Sequence, residues 1–96
     1  MIKIAQLEGG DPLRFDVTVA EDDGESRHEV TVGATDLARL TASGHSPTQL
    51  IEAAFRFLLD RESKESILRR FDLTVIARYF PEFEQLLPRY LSQISR

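Results

Sequence analysis

Few side chains in this chain could do chemistry, and their spacing decides what chemistry is open to them. The only histidines are His28 and His45. Histidine is the usual acid–base group and metal ligand near neutral pH. Neither stands in an H-x-x-x-H or H-E-x-x-H spacing, so no metal site is expected. His45 lies between Ser43 and Ser46, but a nucleophile and its base seldom come from sequence neighbours. Both histidines are read as structural or surface groups. The acidic run Glu21-Asp22-Asp23-Gly24-Glu25 lacks the D-x-D-x-D-G order of a calcium loop. It reads as a solvated turn whose charge discourages edge-to-edge pairing. There is no cysteine and hence no thiolate or disulfide. G-x-x-x-x-G-K, G-x-G-x-x-G and G-x-S-x-G are all missing, and Gly9-Gly10 is a turn. No catalytic, cofactor-binding or metal-binding residue is therefore assigned, and the chain is expected to be no enzyme and to use no cofactor.

Charge and aromatic groups offer contacts rather than catalysis. Residues 1–34 carry 3 basic and 8 acidic side chains, whereas residues 35–96 carry 9 and 8. That acidic N-terminal third argues against nucleic acid as the ligand, since the basic footprint of such proteins is missing. Arg61, Lys64, Arg69, Arg70 and Arg78 form the one basic concentration, set among Glu62, Glu65 and Asp72. Ion pairing along helix surfaces accounts for it better than an anion site. The C-terminal stretch is rich in Tyr79, Phe80, Phe83, Leu86, Leu87, Tyr90 and Leu91. Pro81 and Pro88 interrupt it, so no single helix is expected to bury all of it. An exposed apolar patch marks a contact surface. Phe83, Leu87 and Tyr90 are accordingly expected to meet a protein partner or a second copy in a homodimer.

The elements that must carry these groups follow from period and punctuation. Phe15, Val17 and Val19 alternate with polar residues, as do Val30 and Val32, which predicts two half-buried strands. Asp23-Gly24 between them suits a two-residue type I′ turn. That turn would oppose Phe15 to Val32, Val17 to Val30 and Val19 to His28, placing every apolar residue on one face. The expected hairpin spans residues 13–33, with Met1–Leu7 as a possible third strand. After Gly33 the period becomes helical. Thr35 or Asp36 can cap a short helix that ends at Ser43-Gly44. Ser46, Pro47 and Gln49 then form an N-cap, an N1 proline and a capping box. The helix they open carries a narrow polar stripe of Gln49, Glu52, Arg56 and Asp60. Apolar residues cover the rest of its circumference, which marks it as the central helix. Further helices are expected from Ser63 through Phe71 with Ile67, Leu68 and Phe71 inward, and from Asp72 with Leu73, Val75, Ile76, Tyr79 and Phe80 inward.

Two resemblances bear on function. Residues 28–62 run HEVTV, a short helix, then GHSPTQLIEAAFRFLLDRE. This resembles the strand–helix–helix core of ribbon-helix-helix DNA-binding proteins, most closely at Ser46, Gln49, Leu50, Ile51, Ala54, Phe55 and Leu58. The resemblance implies a dimeric ribbon whose outward residues, here Arg27, Glu29 and Thr31, enter the major groove. The first helix is shorter than in that family, and the strand already has a hairpin partner in the chain. The block FRFLLDRESKESILRRFDLTVIARYFPEFE is similar to a family of small bacterial proteins of unassigned function, which implies no mechanism.

The expected fold is α+β: an N-terminal antiparallel hairpin or three-stranded meander packed on a C-terminal helical cluster. Residues 1–96 are expected to form a single domain, with 1–34 mainly β and 35–96 mainly α. No segment approaches the roughly 20 apolar residues of a membrane span, and the expected location is the cytoplasm. The leading functional expectation is a protein-interaction module that can self-associate. A ribbon-helix-helix-like DNA-binding regulator is the alternative.

Overall fold

The computed structural model describes residues 1–7 and 9–94. Strands β1 (Ile2–Gln6), β2 (Leu13–Glu21) and β3 (Gly24–Val32) come first. Helices α1 (Ala34–Leu40) and α2 (Pro47–Leu59) follow, then a 3-10 turn at Lys64–Ser66 and strand β4 (Arg70–Asp72). A second 3-10 turn at Leu73–Val75 leads into α3 (Ile76–Tyr79), and α4 (Phe83–Ile94) closes the described chain. The strands form one sheet in the order β1-β2-β3-β4, antiparallel except for the parallel β3–β4 pair. The fold is α+β, with the N-terminal strands packed on the helices that follow.

The hairpin keeps its expected faces in a different register. Phe15 pairs with Val30, Val17 with His28 and Val19 with Ser26, so the turn centres on Asp22-Asp23 instead of Asp23-Gly24. The shift is two residues, and a two-residue shift preserves which face each side chain occupies. Phe15, Val17, Val19, Val30 and Val32 are all buried together. Gly24 closes the turn at φ +127°, a conformation that side-chain-bearing residues rarely adopt.

Helix α2 forms as its signals require. Ser46 Oγ accepts from the Gln49 N–H at 3.1 Å, and Gln49 Oε1 accepts from the Ser46 N–H at 2.8 Å. Seven of its residues are buried, among them Leu50, Ala54, Phe57 and Leu58. Glu52 and Arg56 on the polar stripe pair at 2.7 Å. Helix α1 corrects the expected cap. Gly33 occupies the N-cap position without a side-chain bond, and the Ala34 N–H donates to Asp11 Oδ1 from the β1–β2 loop at 2.9 Å.

Three further expectations fail for tertiary reasons. The helix expected over residues 64–71 is a 3-10 turn followed by β4. The exposed β3 edge supplies backbone partners there, pairing Glu29 with Arg70, Val30 with Phe71 and Thr31 with Asp72. Leu68 and Tyr79, expected inward, are 46% and 66% exposed. Pro88 lies inside α4 instead of ending it. A proline costs a helix about 3 kcal/mol. Phe83, Leu87 and Leu91, spaced four apart, are all buried. Each such burial contributes roughly 1.5–3 kcal/mol, enough to hold the helix through the proline.

Candidate functional site

Two features stand on the linker that follows α2, and they differ in kind. The first is a charge clamp on the hairpin tip. Lys64 is only 2% exposed. Its ammonium donates to Asp23 Oδ1 at 2.7 Å and lies 2.6 Å from Glu65 Oε2 and 3.2 Å from Glu21 Oε1. These bonds raise its pKa above the usual lysine range. The hydrogen bond from Lys64 holds the Asp23 carboxyl below its ordinary value, and it does the same for Glu65. The acidic tip is exposed, as its reading as a solvated turn expects, and two of its carboxylates, Glu21 and Asp23, also serve as counter-ions for one buried lysine. The acidic run at the hairpin tip was legible in the sequence, but its partner, a lysine some forty positions away, was not.

The second feature is an apolar groove of about 210 Å³. Leu58 of α2, Ile67 and Phe71 of the linker and β4, and Ile76 of α3 line it, with Val75 and Phe80 alongside. Leu68 and Tyr79 also line it and remain substantially exposed. They are two of the four large hydrophobic residues exposed on the described surface. One carboxylate, Glu62, also lines the groove. Among the described residues it has no hydrogen-bond or ion-pair partner for its side chain. Burial alone raises its pKa. The arrangement can hold an apolar side chain and offers a single acceptor for a cation or N–H donor beside it.

The residues singled out from sequence lie elsewhere. Phe83 and Leu87 are buried within the chain, so they do not form the exposed patch expected of them. Tyr90 is half-buried; its hydroxyl donates to Asp60 Oδ2 at 2.7 Å and accepts from Arg61 at 3.3 Å. The Phe57 ring meets Phe80, Phe83 and Tyr90 at centroid distances of 5.9, 5.0 and 5.7 Å. The Arg61 guanidinium covers the same ring at 3.7 Å. α2 and α4 therefore consume most of the aromatic surface that the two prolines seemed to leave over.

Arg27, Glu29 and Thr31 project from the outer face of the sheet. Glu29 pairs with Arg14 at 2.9 Å and lies 3.7 Å from Arg70. The Arg14 bond holds its carboxyl below the ordinary range. Thr31 donates to Asp72 at 2.7 Å, and Arg27 is exposed, 3.7 Å from Glu25. The strand–helix–helix order of β3, α1 and α2 is present. β3 nevertheless has β2 on one side and β4 on the other, so it is not the free strand that a dimeric ribbon needs.

Neither histidine lines the groove. His28 is buried against Phe55, ring centroids 5.4 Å apart. Its Nδ1 lies 2.7 Å from the Leu68 carbonyl, which can only accept, so Nδ1 carries the proton. Nε2 lies 2.8 Å from Ser26 Oγ. His45 Nδ1 and Ser43 Oγ are 2.6 Å apart. The other ring nitrogen, Nε2, is buried with no partner among the described residues. Among the described residues no carboxylate bonds to that ring, so the pair has no third member of a nucleophilic triad there. No group of three or more His, Asp or Glu side chains among the described residues is placed to hold a metal ion. No helix among them is long and apolar enough to cross a membrane. No protein-family model, curated protein or solved structure matches the chain.

Proposed function

We propose that this chain is a non-enzymatic protein-interaction module. Its contact surface is the groove between the Glu62–Phe71 linker and α3. The observation that carries the reading is the pairing of exposed Leu68 and Tyr79 with an apolar floor that the described residues leave open. Exposed apolar groups around a concave apolar site are the usual mark of a contact surface. Glu62 adds direction. A carboxylate in an apolar setting favours a partner that brings a positive charge next to its apolar anchor. The proposed target is thus a peptide segment with one large apolar side chain flanked by lysine or arginine.

NMR titration with blocked Lys-Phe-Lys and Glu-Phe-Glu tripeptides tests this directly. The basic peptide should shift the resonances of Leu58, Ile67, Phe71 and Ile76, and Leu68→Ser with Tyr79→Ser should abolish the shifts. Equal responses to both peptides, or shifts away from the groove, would sink the proposal. The DNA-binding alternative finds less support, because Glu29, between Arg27 and Thr31 on the outward face, would meet the DNA phosphates unfavourably.

A further inference from the structure

The two edges of the sheet are finished differently. β4 is three residues long, with charge at Arg70 and Asp72 and Arg69 just before it. Short, charged strands are how proteins blunt an edge. β1 has no such device beyond Lys3. It runs five residues without proline or bulge, and it pairs with β2 alone.

The phase of its hydrogen bonds can be read from its ends. Met1 exchanges both its amino and carbonyl bonds with Ala20 at 2.8 Å, and the Leu7 N–H donates to the Arg14 carbonyl at 2.8 Å. Odd-numbered residues of β1 therefore face β2. Alternation in an antiparallel ladder turns the N–H and C=O groups of Ile2, Ile4 and Gln6 outward along the open edge. The side chains alternate too. Ile2 and Ile4 are half-buried toward the core, whereas Met1, Lys3, Ala5 and Leu7 lie exposed on the outer face.

We infer that this edge pairs with the same edge of a second copy, antiparallel and centred on Ile4. In that register Ile4 faces its own equivalent and Ile2 faces Gln6, so every outward backbone group of the three finds a partner. The apolar faces stay aligned, because the pairing preserves parity. On the outer face, Lys3 meets the small, uncharged Ala5 instead of a second Lys3. Met1 meets Leu7. Met1 and Leu7, 76% and 37% exposed, are the two exposed large hydrophobics that the groove does not use. A single register thus satisfies the backbone, separates the like charges and covers both residues. The result is a continuous sheet of eight strands with the helices of both copies on one side. A contact this narrow gives reversible association at high protein concentration, not an obligate dimer. It does not depend on the groove or its ligand.

The register makes a charge test specific. Ala5 pairs with Asp16 inside the chain, but with Lys3 of the other copy across the edge. Ala5→Lys is favourable within one chain and repulsive between two, and Ala5→Glu reverses both effects. Each cross-copy pair occurs twice, so Ala5→Lys should weaken association by roughly 2- to 30-fold and Ala5→Glu should strengthen it. Sedimentation equilibrium reads the association, and thermal unfolding of dilute protein checks that Ala5→Lys leaves the monomer intact. Amide exchange by NMR supplies a second readout: protection at Ile2, Ile4 and Gln6 should grow with protein concentration, and protection at Lys3 and Ala5 should not. A chain that stays monomeric at millimolar concentration would overturn the inference. So would a dimer whose association constant is the same for both Ala5 variants.

Discussion

Lys64 and Glu62 stand two residues apart on the same linker and live in opposite circumstances. On the hairpin side, the buried lysine is met by three carboxylates from two elements. On the groove side, a half-buried carboxylate has no cation among the described residues, and two large apolar residues stay open to water. The first side is closed: the chain itself supplies the counter-ions of the lysine, and they tie the end of β2 and the hairpin turn to the linker. The second is open: among the described residues nothing pairs with Glu62, and Leu68 and Tyr79 stay exposed. Buried charge is not by itself a sign of a site. What distinguishes a contact surface from a structural lock is whether the chain supplies the counter-group.

The largest effect should come from the groove floor. Leu58 is buried and also lines the groove, so Leu58→Ala should cost about 2–5 kcal/mol in urea unfolding. A loss below about 1 kcal/mol would mean that the floor is soft and the groove is not a preformed site. Next comes the lock. Lys64→Met removes the ammonium and leaves Glu21, Asp23 and Glu65 facing one another. The melting temperature should fall, and amide exchange should quicken at residues 21–25 while α2 stays protected. Unchanged exchange at the hairpin tip would erase the distinction between the two sides.

The pH dependence of stability separates them further, because the two sides have opposite signs. The folded-state pKa values of Asp23 and Glu65 are lowered through Lys64. Their stabilisation is present above the ordinary carboxylate pKa of roughly 4 and is lost as pH falls through the lowered values. The folded-state pKa of Glu62 is raised by burial. Its contribution is fully favourable below the ordinary value and is lost as pH rises through the raised one. Thermal unfolding followed from roughly pH 3 to pH 7 should show Lys64→Met weakening the acid-side loss. Glu62→Gln should remove the smaller decline on the rising side, leave the fold intact and weaken binding of the basic tripeptide. A Glu62→Gln variant that unfolds more readily at neutral pH would show that the carboxylate serves the fold. The smallest effect belongs to the exposed stripe of α2. Arg56→Ala breaks only the pair with Glu52 and should change stability by less than about 0.5 kcal/mol.

Local pattern reached as far as local causes operate. Alternation at Phe15, Val17 and Val19 and at Val30 and Val32 told which faces are buried, because side chains point to opposite faces with a period of two. Ser46, Pro47 and Gln49 marked the start of α2, since a capping box is closed by residues three apart. Asp72 likewise caps the turn after it, accepting from the Thr74 N–H at 3.1 Å. The candidate site was only partly legible. Leu58, Ile67, Phe71 and Ile76 were identified as inward, whereas the exposure of Leu68 and Tyr79 was not.

What the sequence by itself determined is therefore the class of fold, the strand faces and the central helix. The tertiary structure alone decided the rest, because the deciding partners lie far apart along the chain. Two hairpin registers bury the same face, and the one adopted joins its turn to Lys64, which no local pattern around Asp23 reveals. Residues 70–72 carry a helical-looking pattern and become a strand because β3 offers them an edge. Pro88 forbids a helix locally, and α4 forms through it because Phe83, Leu87 and Leu91 are buried together. The groove exists because these long-range choices leave Leu68 and Tyr79 over a floor that the other described residues leave open.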